Sequence, residues 1–99
     1  MYLQFVDTVC PEFEWSGAKR QIVLADRDLD FIDAEVFFDG RPLVTAPSPQ
    51  GEEERWLSVG ELNGALIAVV WMWRGEAVRI ITMRKARDGE KRRYQALYG

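Results

Sequence analysis

Arginine and carboxylate are the reactive groups this chain has to offer. It contains no histidine and one cysteine, Cys10, which excludes histidine-based triads, histidine metal sites and paired-histidine ribonuclease chemistry, and leaves zinc without a ligand set. No glycine-rich phosphate loop is present, because Gly60, Gly64 and Gly75 stand alone and suit hairpin turns. Whatever the chain does to an anion, it does with arginine, lysine, carboxylate and tyrosine. Metal-free RNA cleavage, for one, would need a base for the 2′ hydroxyl, cations for the phosphorane charge and an acid for the leaving 5′ oxygen. Arginine meets the second need, since its planar fork pairs with two phosphate oxygens. Arg79 and Arg84 are the candidates, with Arg55 beside them. Glu54 can act as a base held by Arg55, or as a routine cross-strand partner worth about 0.2–1 kcal/mol. Under strict alternation the odd spacing of Arg79 and Arg84 places them on opposite faces of a strand. One of them is then an ion-pair partner, or Arg84 lies beyond the strand end. Tyr94 and Tyr98, four residues apart, can stack on a base, though helical spacing favours the core; Trp56, Trp71 and Trp73 read as core or interface.

The elements that must position these groups lie in residues 53–87. Asn63-Gly64 between two apolar runs is a strong hairpin signal, because both central residues of the turn need positive φ. A second turn at Gly75 makes two hairpins that share the strand 65–73, whose near absence of polar residues predicts cover on both faces. The last strand, 77–83, runs out into Arg84 and Lys85. Upstream, Pro11-Glu12-Phe13-Glu14-Trp15 predicts a short strand, and Ser16 caps a helix with Ala18, Ile22, Ala25 and Leu29 inward. Asp30 caps a second helix with an apolar stripe of Phe31, Ala34, Phe37 and Phe38, ended by Asp39-Gly40-Arg41-Pro42. Leu43-Val44-Thr45-Ala46 is a short strand, and residues 47–51 a proline-bearing loop. Asp88 caps a terminal helix with Tyr94, Leu97 and Tyr98 inward and Lys91, Arg92 and Arg93 outward. Residues 1–11 form an arm or an extra strand. The expected class is α+β, an antiparallel β-meander with two N-terminal helices and a C-terminal helix packed on it.

Ninety-nine residues suit a single domain spanning 1–99, and 47% hydrophobic content with four tryptophans supplies a core without disulfide or metal support. A lone cysteine suits a reducing compartment. No apolar run approaches the roughly 18 residues needed to cross a membrane, and the first residues lack a signal-peptide layout. A cytoplasmic protein is expected. The net charge is −3, but residues 1–49 hold four basic side chains against nine acidic ones, while seven basic face two acidic from Arg79 onward. That asymmetry predicts an anionic partner for the C-terminal part, or a solvated helix face.

Several motifs in order resemble one family. Phe13-Glu14-Trp15-Ser16 with Ala18-Lys19, then Phe31, Ala34, Val36-Phe37 and Asp39, then Glu53-Glu54-Arg55-Trp56-Leu57 with Gly60, then residues 79–86 and Arg92-Arg93-Tyr94, together look like the BrnT toxins of type II toxin–antitoxin pairs. The resemblance spans about residues 12–98. It implies a RelE-like fold and a metal-independent endoribonuclease that inhibits translation by cleaving RNA, without a cofactor. It also implies a ribbon-helix-helix antitoxin as partner, with DNA reached only through that antitoxin and no membrane. Residue by residue, Glu54, Arg55, Arg79 and Arg84 take the catalytic places, and Lys85 stands for a basic residue of the final strand. Arg87, Lys91, Arg92 and Tyr94 join Lys85 as candidate RNA contacts. One departure stands out: where the family usually has Lys-His-Gly after the first helix, this chain has Asp26-Arg27-Asp28, which removes a helix-closing glycine and predicts a longer helix. The alternative function is a catalytically weak or inactive BrnT-like protein that acts by binding its antitoxin or another protein. A free DNA-binding domain lacks a recognition helix here.

Overall fold

The computed structural model describes residues 12–48 and 53–99. In chain order come β1 (Phe13–Trp15), α1 (Gly17–Arg27), a 3₁₀ helix (Phe31–Phe38), β2 (Val44–Pro47), β3 (Trp56–Leu62), β4 (Ala65–Arg74), β5 (Ala77–Lys85) and α2 (Asp88–Tyr98). The strands form one sheet in the order β1-β5-β4-β3-β2. Strands β2 to β5 are antiparallel neighbours, as expected of a meander, but β1 pairs parallel with β5. The expected wholly antiparallel sheet is therefore corrected to a mixed one. The helices carry the chain across one sheet face to the far edge, so the meander returns to β1 with β5 running in the same direction. Cys10, the arm expected over residues 1–11 and the loop residues 49–51 lie outside the described residues.

Local chemistry explains the turns and caps. Asn63 and Gly64 both take positive φ, 52° and 85°, in the β3–β4 turn. Ser16 Oγ accepts from the Lys19 amide at 3.2 Å and starts α1. The helix does not lengthen past Arg27, which corrects the expectation drawn from its missing glycine. Asp28 itself adopts φ 57°, and its amide donates to the Leu24 carbonyl at 3.0 Å; aspartate tolerates the left-handed region better than most residues with a side chain. The inward face of α1 is also corrected, since Val23 is buried while Ile22 is 57% exposed. Ile22-Val23-Leu24 offers two overlapping stripes, and a two-pronged bond from Arg20 to Asp30 (2.7 and 3.0 Å) ties the helix in the rotation that buries Val23.

Asp30 caps the second helix through the Ile32 amide at 3.1 Å, and Phe31, Ala34, Phe37 and Phe38 are all buried. The helix is 3₁₀ rather than α. Its apolar side chains at 31, 34 and 37 recur every three residues, the period of that tighter coil. With Val23 they cover Ile67, Val69, Trp71, Val78, Ile80 and Met83 on one sheet face. Trp71 sits fully buried at the centre, and its ring N–H donates to Ser58 Oγ at 2.9 Å. On the opposite face Tyr94 of α2 packs with Leu57 and Leu66 against Val59, Ala68 and Ala86. The expected inward Leu97 and Tyr98 are corrected to 66% and 47% exposed, because α2 rests on the sheet by its N-terminal bond to β5 and by Tyr94, while Tyr98 reaches it only through its hydroxyl, which donates to the Leu43 carbonyl at 2.9 Å. Asp88 is the first residue of α2 rather than its cap, which is Arg87. Among the described residues no helix is long and apolar enough to cross a membrane.

Candidate functional site

Strand β5 decides which arginines meet. Val78, Ile80 and Met83 all belong to the buried cluster under the helices, so the alternation that holds from 78 to 80 breaks before 83. Register shows the cause: Trp71 pairs with Ile80 and its neighbour Val70 with Thr82, which leaves Ile81 as an extra, bulged residue. A bulge shifts the parity of everything beyond it. Arg79, opposite Met72, and Arg84, opposite Ala68, therefore lie on the same face, the one on which α2 rests. The opposite-face expectation from their odd spacing is corrected by that single residue. Their backbones stand about 13 Å apart along the sheet, judged from four residues of strand rise.

Arg55 precedes β3, and its carbonyl accepts from the Ser48 amide at 2.8 Å. Glu14 of β1 faces Arg79 in the parallel register, and Arg79 is opposite Met72 of β4. Glu14, Arg79 and Met72 thus form one row across the sheet. Along this face α2 packs near Leu66, Ala68 and Val59, while Val70, Met72 and Arg79 further down are half-buried.

The two β5 arginines differ in how their donors are used. Arg84 gives both terminal nitrogens to Glu90, Nη1 to Oε1 at 2.8 Å and Nη2 to Oε2 at 2.9 Å. Glu90 also accepts from the Arg87 amide at 2.8 Å. The guanidinium bond, helped by that amide and by the two arginine charges against the cost of burial, holds the Glu90 carboxyl down to about 2. The same pairing raises Arg84 above its ordinary value. Arg84 therefore ties the start of α2 to β5. Arg79 makes a single contact, Nη1 to Glu14 Oε1 at 3.3 Å, which leaves four of a guanidinium's five N–H donors without a partner among the described residues. Arg74 adds a second cation beside the same carboxylate oxygen at 3.7 Å.

The other expected site residues are dispersed. Glu54 is exposed, stands outside β3, and makes no hydrogen bond or ion pair among the described residues. Arg55 is half-buried, with a buried Nε that no described group accepts from. Lys85, Arg87, Lys91 and Arg92 are exposed at the end of β5 and along α2. Tyr94 packs into the second apolar cluster and against the Tyr98 ring, centroids 5.0 Å apart. Glu14 and Arg74 were not among the expected site residues, because only the pairing of the first strand with the last brings them to Arg79. Arg27, expected only as part of the departure after the first helix, has a tertiary role: its Nη1 donates to the Met83 carbonyl at 2.7 Å and to Thr82 Oγ1 at 3.3 Å, which fixes the end of α1 beside the bulge. Among the described residues no three acidic or cysteine side chains gather as a metal-binding group.

Residues 15–90 match the model of the family described as the ribonuclease toxin, BrnT, of type II toxin-antitoxin system. No curated protein matches the chain.

Proposed function

This chain belongs to the BrnT family of ribonuclease toxins from type II toxin–antitoxin systems, and from that membership we propose that the row around Arg79 is where it cleaves RNA. An RNA substrate and an antitoxin partner follow from the family itself. The finer reading is a metal-independent endoribonuclease of RelE-like architecture, the whole chain forming one such domain, that inhibits translation in the cytoplasm. It is held in check by a ribbon-helix-helix antitoxin, through which alone it meets DNA.

The observation that carries this reading is the unequal use of the two β5 arginines. Arg79 lies on a half-buried stretch of the sheet with most of its donors unpartnered among the described residues, the condition for gripping phosphate oxygens in two directions. Arg55, just before β3, supplies a second cation where charge develops on phosphorus. Arg84 acts one step away by holding α2 against the sheet. Lys85, Arg87, Lys91 and Arg92 extend positive charge for the flanking RNA, which binds mainly through its phosphates. A carboxylate takes the 2′ proton.

The test is expression of the chain alone in a bacterial host, with growth followed and total RNA inspected for cleavage, beside Arg79→Ala and Arg84→Ala. Growth arrest with RNA cleavage, abolished by Arg79→Ala, is the expected result. Arrest without RNA cleavage, or full toxicity in the Arg79→Ala variant, would sink the reading.

A further inference from the structure

The base that this chemistry needs is not the carboxylate that the sequence offers first. Glu54 touches no cation among the described residues and lies outside β3. Glu14 is differently placed. Its Oε1 accepts from Arg79 Nη1 at 3.3 Å and lies 3.7 Å from Arg74 Nε, and these two arginines are the charged groups that face it from the described elements packed around it. Its side chain is 39% exposed beside the 29% of Arg79, so both remain open to a ligand from solvent. The 2′ hydroxyl that must lose its proton is attached next to the phosphate under attack. A base in contact with the guanidinium that holds the phosphate is therefore within reach of it, while a carboxylate elsewhere on the sheet is not.

We infer that Glu14 is the general base of RNA cleavage, an assignment that rests on the ribonuclease reading above. In the step, the 2′ O–H bond breaks and its proton passes to a Glu14 carboxylate oxygen. The 2′ oxygen bonds to phosphorus, and the bond from phosphorus to the 5′ oxygen breaks. The leaving 5′ oxygen takes a proton from solvent, Glu14 returns its own to solvent, and the products are a 2′,3′-cyclic phosphate end and a 5′-hydroxyl end. Nothing is oxidised or reduced. Arg79 balances the charge on phosphorus, and Arg74 keeps the carboxylate turned toward the row.

The experiment compares the purified full chain with Glu14→Gln, Glu14→Asp and Glu54→Gln. Cleavage of a single-stranded RNA is measured across pH, and binding to the same sequence lacking 2′ hydroxyls is measured alongside. Glu14→Gln is expected to lower kcat by about 10²-fold or more and to lose the fall in rate on the acid side that protonation of a carboxylate base produces. It should bind the 2′-deoxy strand within a few-fold of the parent. Glu14→Asp, which keeps the carboxylate, should retain that acid-side fall with a reduced rate. Glu54→Gln is the competing variant: if it, and not Glu14→Gln, removes the acid-side fall, the base is Glu54 and the assignment to Glu14 is overturned. If Glu14→Gln cleaves at the parental rate, or keeps the parental pH dependence while only its RNA binding weakens, Glu14 is not the base. A parent chain that cleaves no RNA at any pH would sink the ribonuclease reading and this assignment with it, an outcome distinct from the others.

Discussion

Arg79 reaches Glu14 through one nitrogen and Arg84 reaches Glu90 through two, so the two substitutions to alanine should fail differently. Arg79→Ala removes a half-exposed cation whose ion pair contributes little to stability. Cleavage should fall by about 10²-fold or more, while the thermal midpoint, followed by circular dichroism, stays near that of the parent. Arg84→Ala leaves Glu90 without its guanidinium and should cost about 1–3 kcal/mol in a denaturant titration. The same pair gives a pH dependence. The folded Glu90 carboxyl is depressed from 4.5 to about 2, so its contribution is complete above the ordinary carboxylate range and fades as pH falls through about 2. Comparing stability at neutral pH and in that acid window should show a loss that Glu90→Gln reduces. Asp30 and Asp39, held low by hydrogen bonds from Arg20 and Arg41, act in the same direction, so Glu90→Gln flattens the curve only in part.

At the scale of elements, the bulge at Ile81 and the left-handed cap at Asp28 do the positioning. A regular β5 would have sent Arg79 and Arg84 to opposite faces and put one of them among Phe31, Phe37 and Trp71, where an unpaired guanidinium is costly. Asp28 ends α1 where Arg27 can reach the Met83 carbonyl just past the bulge. Aspartate holds this conformation at a cost that glycine does not incur. Asp28→Gly should therefore raise stability by about 0.5–1 kcal/mol, and thermal unfolding would reveal it; a drop would mean that the carboxylate makes a contribution the cap geometry does not explain. Legibility was uneven at this scale. The 65–73 strand, its two turns, and the Ser16 and Asp30 caps were readable because each depends on near neighbours. The parallel pairing of β1 was not, because it depends on where the chain returns after crossing the sheet.

Over the whole molecule, a net charge of −3 is split between an acidic first half and a basic end. Lys85, Arg87, Lys91 and Arg92 are exposed on the side where α2 leaves the sheet. Those charges should add affinity for RNA without entering the chemistry. A Lys91→Ala, Arg92→Ala double variant should bind single-stranded RNA more weakly, with the slope of log affinity against log salt reduced by about 1, and with kcat unchanged. A fall in kcat at saturating RNA would place α2 closer to the reaction than the geometry suggests.

By itself the sequence determined the available chemistry, since a chain without histidine must work on an anion with arginine, lysine, carboxylate and tyrosine, and it determined the family through motifs spread along most of its length. It also determined the local elements whose signals are carried by adjacent residues. The composition of the site was decided by tertiary structure alone. One bulged residue set the faces of Arg79 and Arg84, the return of β5 to β1 brought Glu14 to Arg79, and the docking of α2 spent the donors of Arg84. Each of these joins residues distant in the chain or shifts a parity, and a two-residue alternation read along one strand contains neither kind of information.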